Sequence, residues 1–263
     1  MSDPWRHVGV DWDSGEWIAV GYPTSGPSEA AVYDSIVELW EERGEAAERI
    51  VIDIPIGLCA DGSGCVREAG EFSRECDDLA RSVLGPRSSS VFTPPSREAV
   101  RAGAGGADYG RINEINREQT GKGLMVQAAN IAPAILEVEE LLLEVGEPTG
   151  LLEGHPEVCF RAFADGPLTF GKHTAAGMDE RLSALERLAD YQRGTWRRLA
   201  RSLADRGRST GVDDLLDALA LAVTARGSPA ELHRLPPDPP RDAEGLPMQM
   251  VYRRSEPFDV TGE

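Results

Sequence analysis

The segment Asp213–Ala225 constrains the fold more than any other. After Asp213 and Asp214 it is apolar on almost every side, through Leu215, Leu216, Ala218, Leu219, Ala220, Leu221, Ala222 and Val223, with a single further charge at Asp217. A helix apolar all round belongs in an interior, with other elements packed about it. Ile50-Val51-Ile52-Asp53-Ile54, closed by Pro55, offers a matching layer. A continuous β-branched run of this kind is expected of a strand covered on both faces. Helices packed on a sheet, an α/β architecture, follow from these two segments.

The rest of the chain can be ordered around them. Arg6–Asp11 and Glu16–Tyr22, separated by Asp13-Ser14-Gly15, read as a hairpin. A third short strand is expected over Ala30–Tyr33. Ser35-Ile36-Val37-Glu38 has capping-box spacing and opens a helix to about Arg43. Residues 57–123 are rich in Gly, Pro, Ser and Arg and weakly periodic outside Phe72–Leu84, so an insertion or lid with one or two helices is expected after the fourth strand. Ile131, Ile135, Val138, Leu142 and Val145 recur at steps of three and four, which predicts one helix from Leu124 to about Val145. Leu151-Leu152-Glu153 reads as a fifth strand, and Pro156 is placed to begin a helix to about Phe163. Amphipathic helices are expected over Asp179–Tyr191 and Thr195–Arg206. The expected organisation is one domain over residues 1–232 with a mixed sheet, then a Pro-rich extension over 233–263 in which Met248–Tyr252 is the segment able to return as an edge strand.

The 263 residues include 45 acids and 27 cations, a formal charge of −18. Among the cations only Lys122 and Lys172 are lysine. A surface rich in Asp and Glu and poor in Lys suggests a high-salt, halophilic cytoplasm, where screening shortens to about 3 Å at 1 M salt and self-repulsion weakens. No run approaches the roughly 20 apolar residues of a membrane span, and no apolar stretch near Met1 has signal-peptide length. A cytoplasmic protein without a membrane partner is therefore expected. Cys59, Cys65, Cys76 and Cys159 show no C-x-x-C spacing, so free, mostly buried thiols are expected. Nothing in the spacing demands a zinc site at the first three.

Three apolar elements carry a carboxylate where hydrophobicity predicts none: Asp11 at the end of the first strand, Asp53 inside Ile50–Ile54, and Asp217 in the final helix. A buried carboxylate must be paired, protonated or bound to a cation. Asp214 and Asp217 are three apart, hence on one helical face. Each has a plainer explanation. Asp213 and Asp214 suit the positive end of a helix. Asp217 could close a buried salt bridge to an arginine, Asp11 could start a turn, and Asp53 could make a structural hydrogen bond before Pro55. Their joint occurrence favours convergence on a hard divalent cation, which takes oxygen ligands. Two such ions can clamp the oxygens of a phosphoryl displacement. Glu153 and Glu157 are further candidates, although Glu157, following Pro156, also suits a helix first turn. His155 could ligate or shuttle protons, yet a lone histidine is more often simply packed.

Val8-Gly9-Val10-Asp11, Ile50-Val51-Ile52-Asp53-Ile54-Pro55-Ile56-Gly57, Ser89-Ser90-Val91-Phe92-Thr93-Pro94-Pro95, Gly121-Lys122-Gly123-Leu124, Glu153-Gly154-His155-Pro156-Glu157-Val158-Cys159-Phe160 and Asp214-Leu215-Leu216-Asp217-Ala218-Leu219-Ala220 together resemble the predicted RNase H-like nuclease family known as domain of unknown function 429, over roughly residues 6–226. The final helix alone is similar to that of RuvC-type Holliday-junction resolvases. The resemblance implies a single RNase H-like domain, a mixed β-sheet flanked by helices. It further implies a Mg²⁺- or Mn²⁺-dependent nuclease or related phosphodiester hydrolase acting on nucleic acid. Asp11, Asp53, Asp214 and Asp217 match the metal-holding acids and, with Glu157, form the expected catalytic set. The fourth-strand acid is Glu in the resolvases and Asp here, one methylene shorter.

A charge of −18 opposes a nucleic-acid partner, but binding follows the local field. Residues 81–123 carry seven cations against four acids, and residues 191–208 carry six arginines against Asp205 alone. Lys122, Arg87 and Arg81 are the expected phosphate contacts. Lys122, between two glycines, can approach a phosphate closely, although the spacing is not that of a Walker A loop. The plainer reading pairs these cations with surface acids. Two other functions stay open: a non-catalytic nucleic-acid or protein-binding module on the same fold, and an ATP-using enzyme of the sugar-kinase and actin-like group. Asp11-Trp12-Asp13-Ser14-Gly15 matches the phosphate loops of that group poorly.

Overall fold

The computed structural model describes residues 3–60, 63–68, 70–146, 150–208 and 210–260. In chain order the elements are β1 (Trp5–Asp13), β2 (Glu16–Pro23), β3 (Glu29–Tyr33), α1 (Ile36–Leu39), β4 (Arg49–Ile52), β5 (Val66–Glu68), β6 (Glu71–Ser73), α2 (Glu75–Leu84), α3 (Arg97–Ala104), α4 (Tyr109–Thr120), α5 (Val126–Asn130), α6 (Ala132–Val145), β7 (Leu151–Glu153), α7 (Pro156–Phe163), α8 (Ala175–Leu185), α9 (Thr195–Asp205), α10 (Val212–Ala225), β8 (Leu232–Leu235) and β9 (Met250–Arg253). They divide into two compact units. One comprises Met1–Asp53, Gly150–His233 and Val251–Asp259; the other comprises Ile54–Thr149, Arg234–Met250 and Val260–Glu263.

The first unit is a mixed five-stranded sheet, in the order β3-β2-β1-β4-β7, flanked by helices, as an α/β reading requires. β1, β2 and β3 are antiparallel neighbours, while β4 runs parallel to β1 and β7 parallel to β4. The hairpin turns at Ser14 and Gly15, both with positive φ. Ser35 accepts from Glu38 N at 3.0 Å, and Glu38 accepts from Asp34 N at 3.1 Å, so the capping signal was legible. α1 continues into a π-helical turn over Trp40–Gly44. α10 is the centre of the core: its residues from Leu215 to Ala225 are buried, and Leu216, Leu219 and Val223 share one cluster with Ile18, Val20, Val51, Phe160 and Leu199.

Two helix boundaries depart from expectation. α8 begins four residues before Asp179, because Thr174 caps it by accepting from Gly177 N at 3.0 Å, and it ends at Leu185 rather than Tyr191.

The second unit is more regular than the composition of 57–123 suggests. It holds α2, α3 and α4 and a β5–β6 hairpin. The helix expected from Leu124 to Val145 is two helices, α5 and α6, broken at Ile131. Pro133 explains the break: it has no N–H to donate and is tolerated only in the first turn of a helix that restarts just before it. Ala99, Ile112, Leu124, Ala128 and Ala129 form a small core here. The expectation of free thiols fails at Cys59 and Cys65, which form a disulfide; their Cα atoms are 5.8 Å apart, within bridging range. Cys76 and Cys159 are free and buried, and burial pushes the Cys159 thiol up to about 12. Among the described residues, no helix is long and apolar enough to cross a membrane.

Candidate functional site

Strand register brings the first two carboxylates together. Side chains two apart on a strand share a face. β1 and β4 pair Gly9 with Val51 and Val10 with Ile52, so one further step sets Asp11 beside Asp53. The ladder does take that step, since Asp53 N donates to the Val10 carbonyl at 3.0 Å. Asp53 therefore lies one residue past β4, not inside it, and Pro55, which cannot donate, ends the run. Glu153 pairs with Ile52 and so falls on the opposite face of the sheet from Asp11 and Asp53.

A glycine brings the helix to the same place. A Cβ on Gly9 would collide with the backbone of Ala218 and Ala222, so α10 lies directly on β1 only because residue 9 has no side chain. Two strand residues advance about 6.6 Å and one helical turn about 5.4 Å. Moving from Gly9 to Asp11 thus reaches the turn of α10 before Ala218, which carries Asp214 and Asp217. Asp217 is 3% exposed and Asp11 7%, while Asp214 and Asp53 are half-buried.

One cation stands among these acids. Lys172 Nζ is 2.8 Å from Asp217 Oδ2 and 3.6 Å from Asp213 Oδ2. His173 Nδ1 is 3.2 Å from the same Asp213 oxygen. The other oxygen of Asp217, Oδ1, is buried and accepts no hydrogen bond from a described residue. The Lys172 loop is held from below. Glu180 accepts from Thr169 N and Phe170 N at 2.8 and 2.9 Å, and Thr174 Oγ1 donates to the Gly171 carbonyl at 2.8 Å. Arg181, fully buried, donates to the Phe170 carbonyl at 3.2 Å and from Nε to Glu157 Oε1 at 3.1 Å. Glu157 is thus brought near the cluster with its charge engaged by Arg181.

The electrostatics show a surplus of negative charge. Burial, then Asp53 and Asp217, hold Asp11 well above the usual carboxylate range. Burial raises Asp53 and Asp217 each to about 7, against the opposing pull of Lys172 and with a further push from Glu157. Burial and Asp213 also raise Asp214. Burial disfavours the Lys172 ammonium, yet Asp217, Asp11 and Asp53 outweigh it and raise Lys172 overall. Shifts of this kind, clustered at the end of a sheet, are a mark of functional sites. The donors are hard oxygens from three elements, the class a divalent cation takes, and an orphaned buried oxygen is among them. No three of these four aspartates bring their oxygens within 4.8 Å of one another, so a cation would have to draw them inward.

The expected phosphate contacts belong to the second unit. There Lys122 Nζ is 3.7 Å from Glu71, Arg81 donates to Asp78, the Val91 carbonyl and Thr93, and Arg87 lies in a 3₁₀ turn over Gly85–Ser90. Lys172 is the site residue that sequence reasoning missed. It lies in an aperiodic loop, and its one signal is that it is a lysine in a chain that otherwise uses arginine.

No curated protein and no solved structure matches the chain. A family model described as a protein of unknown function, DUF429, matches residues 9–241. The match begins at the glycine that seats α10 and runs through Asp11, Asp53, Lys172 and the acids of α10, and the chain belongs to this family.

Proposed function

We propose that the chain is a divalent-metal-dependent phosphodiester hydrolase acting on nucleic acid, built on an RNase H-like sheet. The observation that carries this reading is that β1, the end of β4 and α10 bring Asp11, Asp53, Asp214 and Asp217 near enough for their charges to bear on one another, with Asp217 Oδ1 buried and without a hydrogen bond from a described residue. The strand order, with β1 between an antiparallel and a parallel neighbour, supports the fold assignment. These four carboxylates would hold Mg²⁺ or Mn²⁺. The chemistry such an ion supplies is activation of water and neutralisation of charge building on a phosphodiester. The chain's own residues do the positioning. Gly9 sets the depth of α10, the β1–β4 register aligns Asp11 with Asp53, and Lys172 adds a fixed positive charge beside Asp217.

A polyanion also needs somewhere to lie. On α9 and the segments that flank it, Arg193 and Arg208 pair with Glu186 and Glu16, and Arg198 and Arg206 donate to the Ser28 and Ala30 carbonyls. Arg197 and Arg201, one turn apart and exposed, form no ion pair with a described residue and offer phosphate contacts outside the structural pairs.

The test is a panel of single-stranded, duplex, hybrid and branched nucleic acids incubated with Mg²⁺ or Mn²⁺ in molar KCl. Cleavage by the wild type, lost in Asp11→Asn and Asp217→Asn, is expected. Cleavage retained by both variants would sink the proposal. The engagement of Asp217 by Lys172 favours one rival, a non-catalytic module whose acids are structural; binding without cleavage across the panel would establish it. We place the activity in a salt-adapted cytoplasm. Gain of stability from dilute buffer to molar KCl, and a thiol count on protein alkylated at lysis, test that setting against the Cys59–Cys65 bond.

A further inference from the structure

We infer that Lys172 is a built-in cation of the carboxylate cluster, standing where a second metal would, so that the cluster takes one divalent ion and not two. The inference deepens the metal-dependent reading and rests on it. Asp213 and Asp217 are four residues apart, on one edge of α10, and the ammonium spans them at 3.6 and 2.8 Å. Those two carboxylate oxygens are therefore already assigned to a positive charge. What remains for a metal is the other side of Asp217, where Oδ1 is buried and receives no hydrogen bond from a described residue, together with Asp11 and Asp53 on the adjoining strand ends and Asp214 a turn before Asp217, oxygens that an ion would have to draw together.

Lys172 is not a surface side chain that happens to reach inward. Its loop is tied at Thr169 and Phe170 by Glu180, at the Phe170 carbonyl by Arg181, and at Gly171 by Thr174. A Cβ on Gly177 would collide with the Gly171 carbonyl, so the loop and the first turn of α8 meet at closest approach. Glu157 holds Arg181 and so acts as a positioning residue for this loop. Residue choice agrees. Of 27 cations only two are lysines. A compact ammonium is a point charge that can stand where a metal ion would, whereas a guanidinium is a planar fork suited to bidentate pairs.

The experiment counts Mn²⁺ bound per chain, by electron paramagnetic resonance of the free ion, on the full chain in 1 M KCl to screen weak surface sites. The wild type is expected to bind one Mn²⁺, Lys172→Gln two, and Lys172→Arg, which restores the charge, one. Two ions on the wild type, or one ion held equally tightly by Lys172→Gln, overturns the inference and leaves the metal-dependent reading standing. No Mn²⁺ on the wild type removes both. If Lys172→Gln does not fold, the wild-type count decides alone.

Discussion

Asp242 and Asp217 are both buried aspartates, one in the 240–247 turn of the second unit and the other in the central helix of the first, and their surroundings are opposite. Asp242 accepts from Leu58 N at 3.0 Å and from Arg97 on Oδ2, and from Glu244 N and Leu246 N at 3.0 and 2.9 Å on Oδ1. Both of its oxygens are satisfied, and it fastens the turn to α3. Asp217 accepts from Lys172 on one oxygen and from no described residue on the other, while the charges of Asp53 and Glu157 bear on it. A buried acid kept for structure is fully hydrogen-bonded. A buried acid left half-satisfied beside others of its kind costs stability, and a bound cation would relieve that cost.

The contrast can be broken by experiment, beginning with the largest effect. Asp242→Ala takes one carboxylate from Arg97, which keeps Glu139, and strands three backbone N–H groups, and is expected to cost about 3–5 kcal/mol in urea unfolding. A loss under about 1 kcal/mol would deny Asp242 its structural role.

Next comes pH. Asp53 and Asp217 titrate near 7 in the fold against about 4 unfolded, so the folded chain binds more protons between those values. The contribution of these two groups to metal-free stability should fall as pH rises from about 4 to about 7, then level off, by up to about 4 kcal/mol per group. Comparing wild type with Asp53→Asn, which lacks one of the groups, isolates the slope; identical slopes would contradict the assignment. Gly9→Ala pushes on the α10 backbone and should cost about 1–3 kcal/mol while weakening Mn²⁺ binding. An alanine that binds Mn²⁺ as wild type does would show that α10 need not sit so close. The smallest effect is that of Asp217→Asn on metal-free stability at pH 8, expected under about 1 kcal/mol, because relief of charge repulsion offsets the lost Lys172 bond. A loss as large as that of Asp242→Ala would erase the difference between the two aspartates.

Much of the first unit was legible because its signals are local. The hairpin, the Ser35 cap, β4, β7 and the apolar α10 all follow from short-range pattern, and the acids stood out against that pattern. Asp53 was displaced by one residue because a β-branched run does not mark where a ladder ends. Lys172 was out of reach. Its place depends on Glu180, Arg181 and Gly177 fixing a loop with no periodicity, and on α10 arriving from forty residues away. The second unit hid its helices because α3 and α4 bury few large apolar residues, Val100 and Ile112 among them, so their periodicity is faint. The Cys59–Cys65 bond joins two cysteines whose spacing no rule marks.

The central claim is that Asp11, Asp53, Asp214 and Asp217 together form one divalent-cation site. Isothermal titration of Mn²⁺ into the wild type, Asp11→Asn and Asp217→Asn, at pH 8 in 1 M KCl, tests it most directly. Saturable binding in the wild type, weakened at least about tenfold in each variant, is the predicted result, since each loses a charged ligand whose contribution is of order 1.4 kcal/mol or more. Equal affinity in all three proteins would contradict the account.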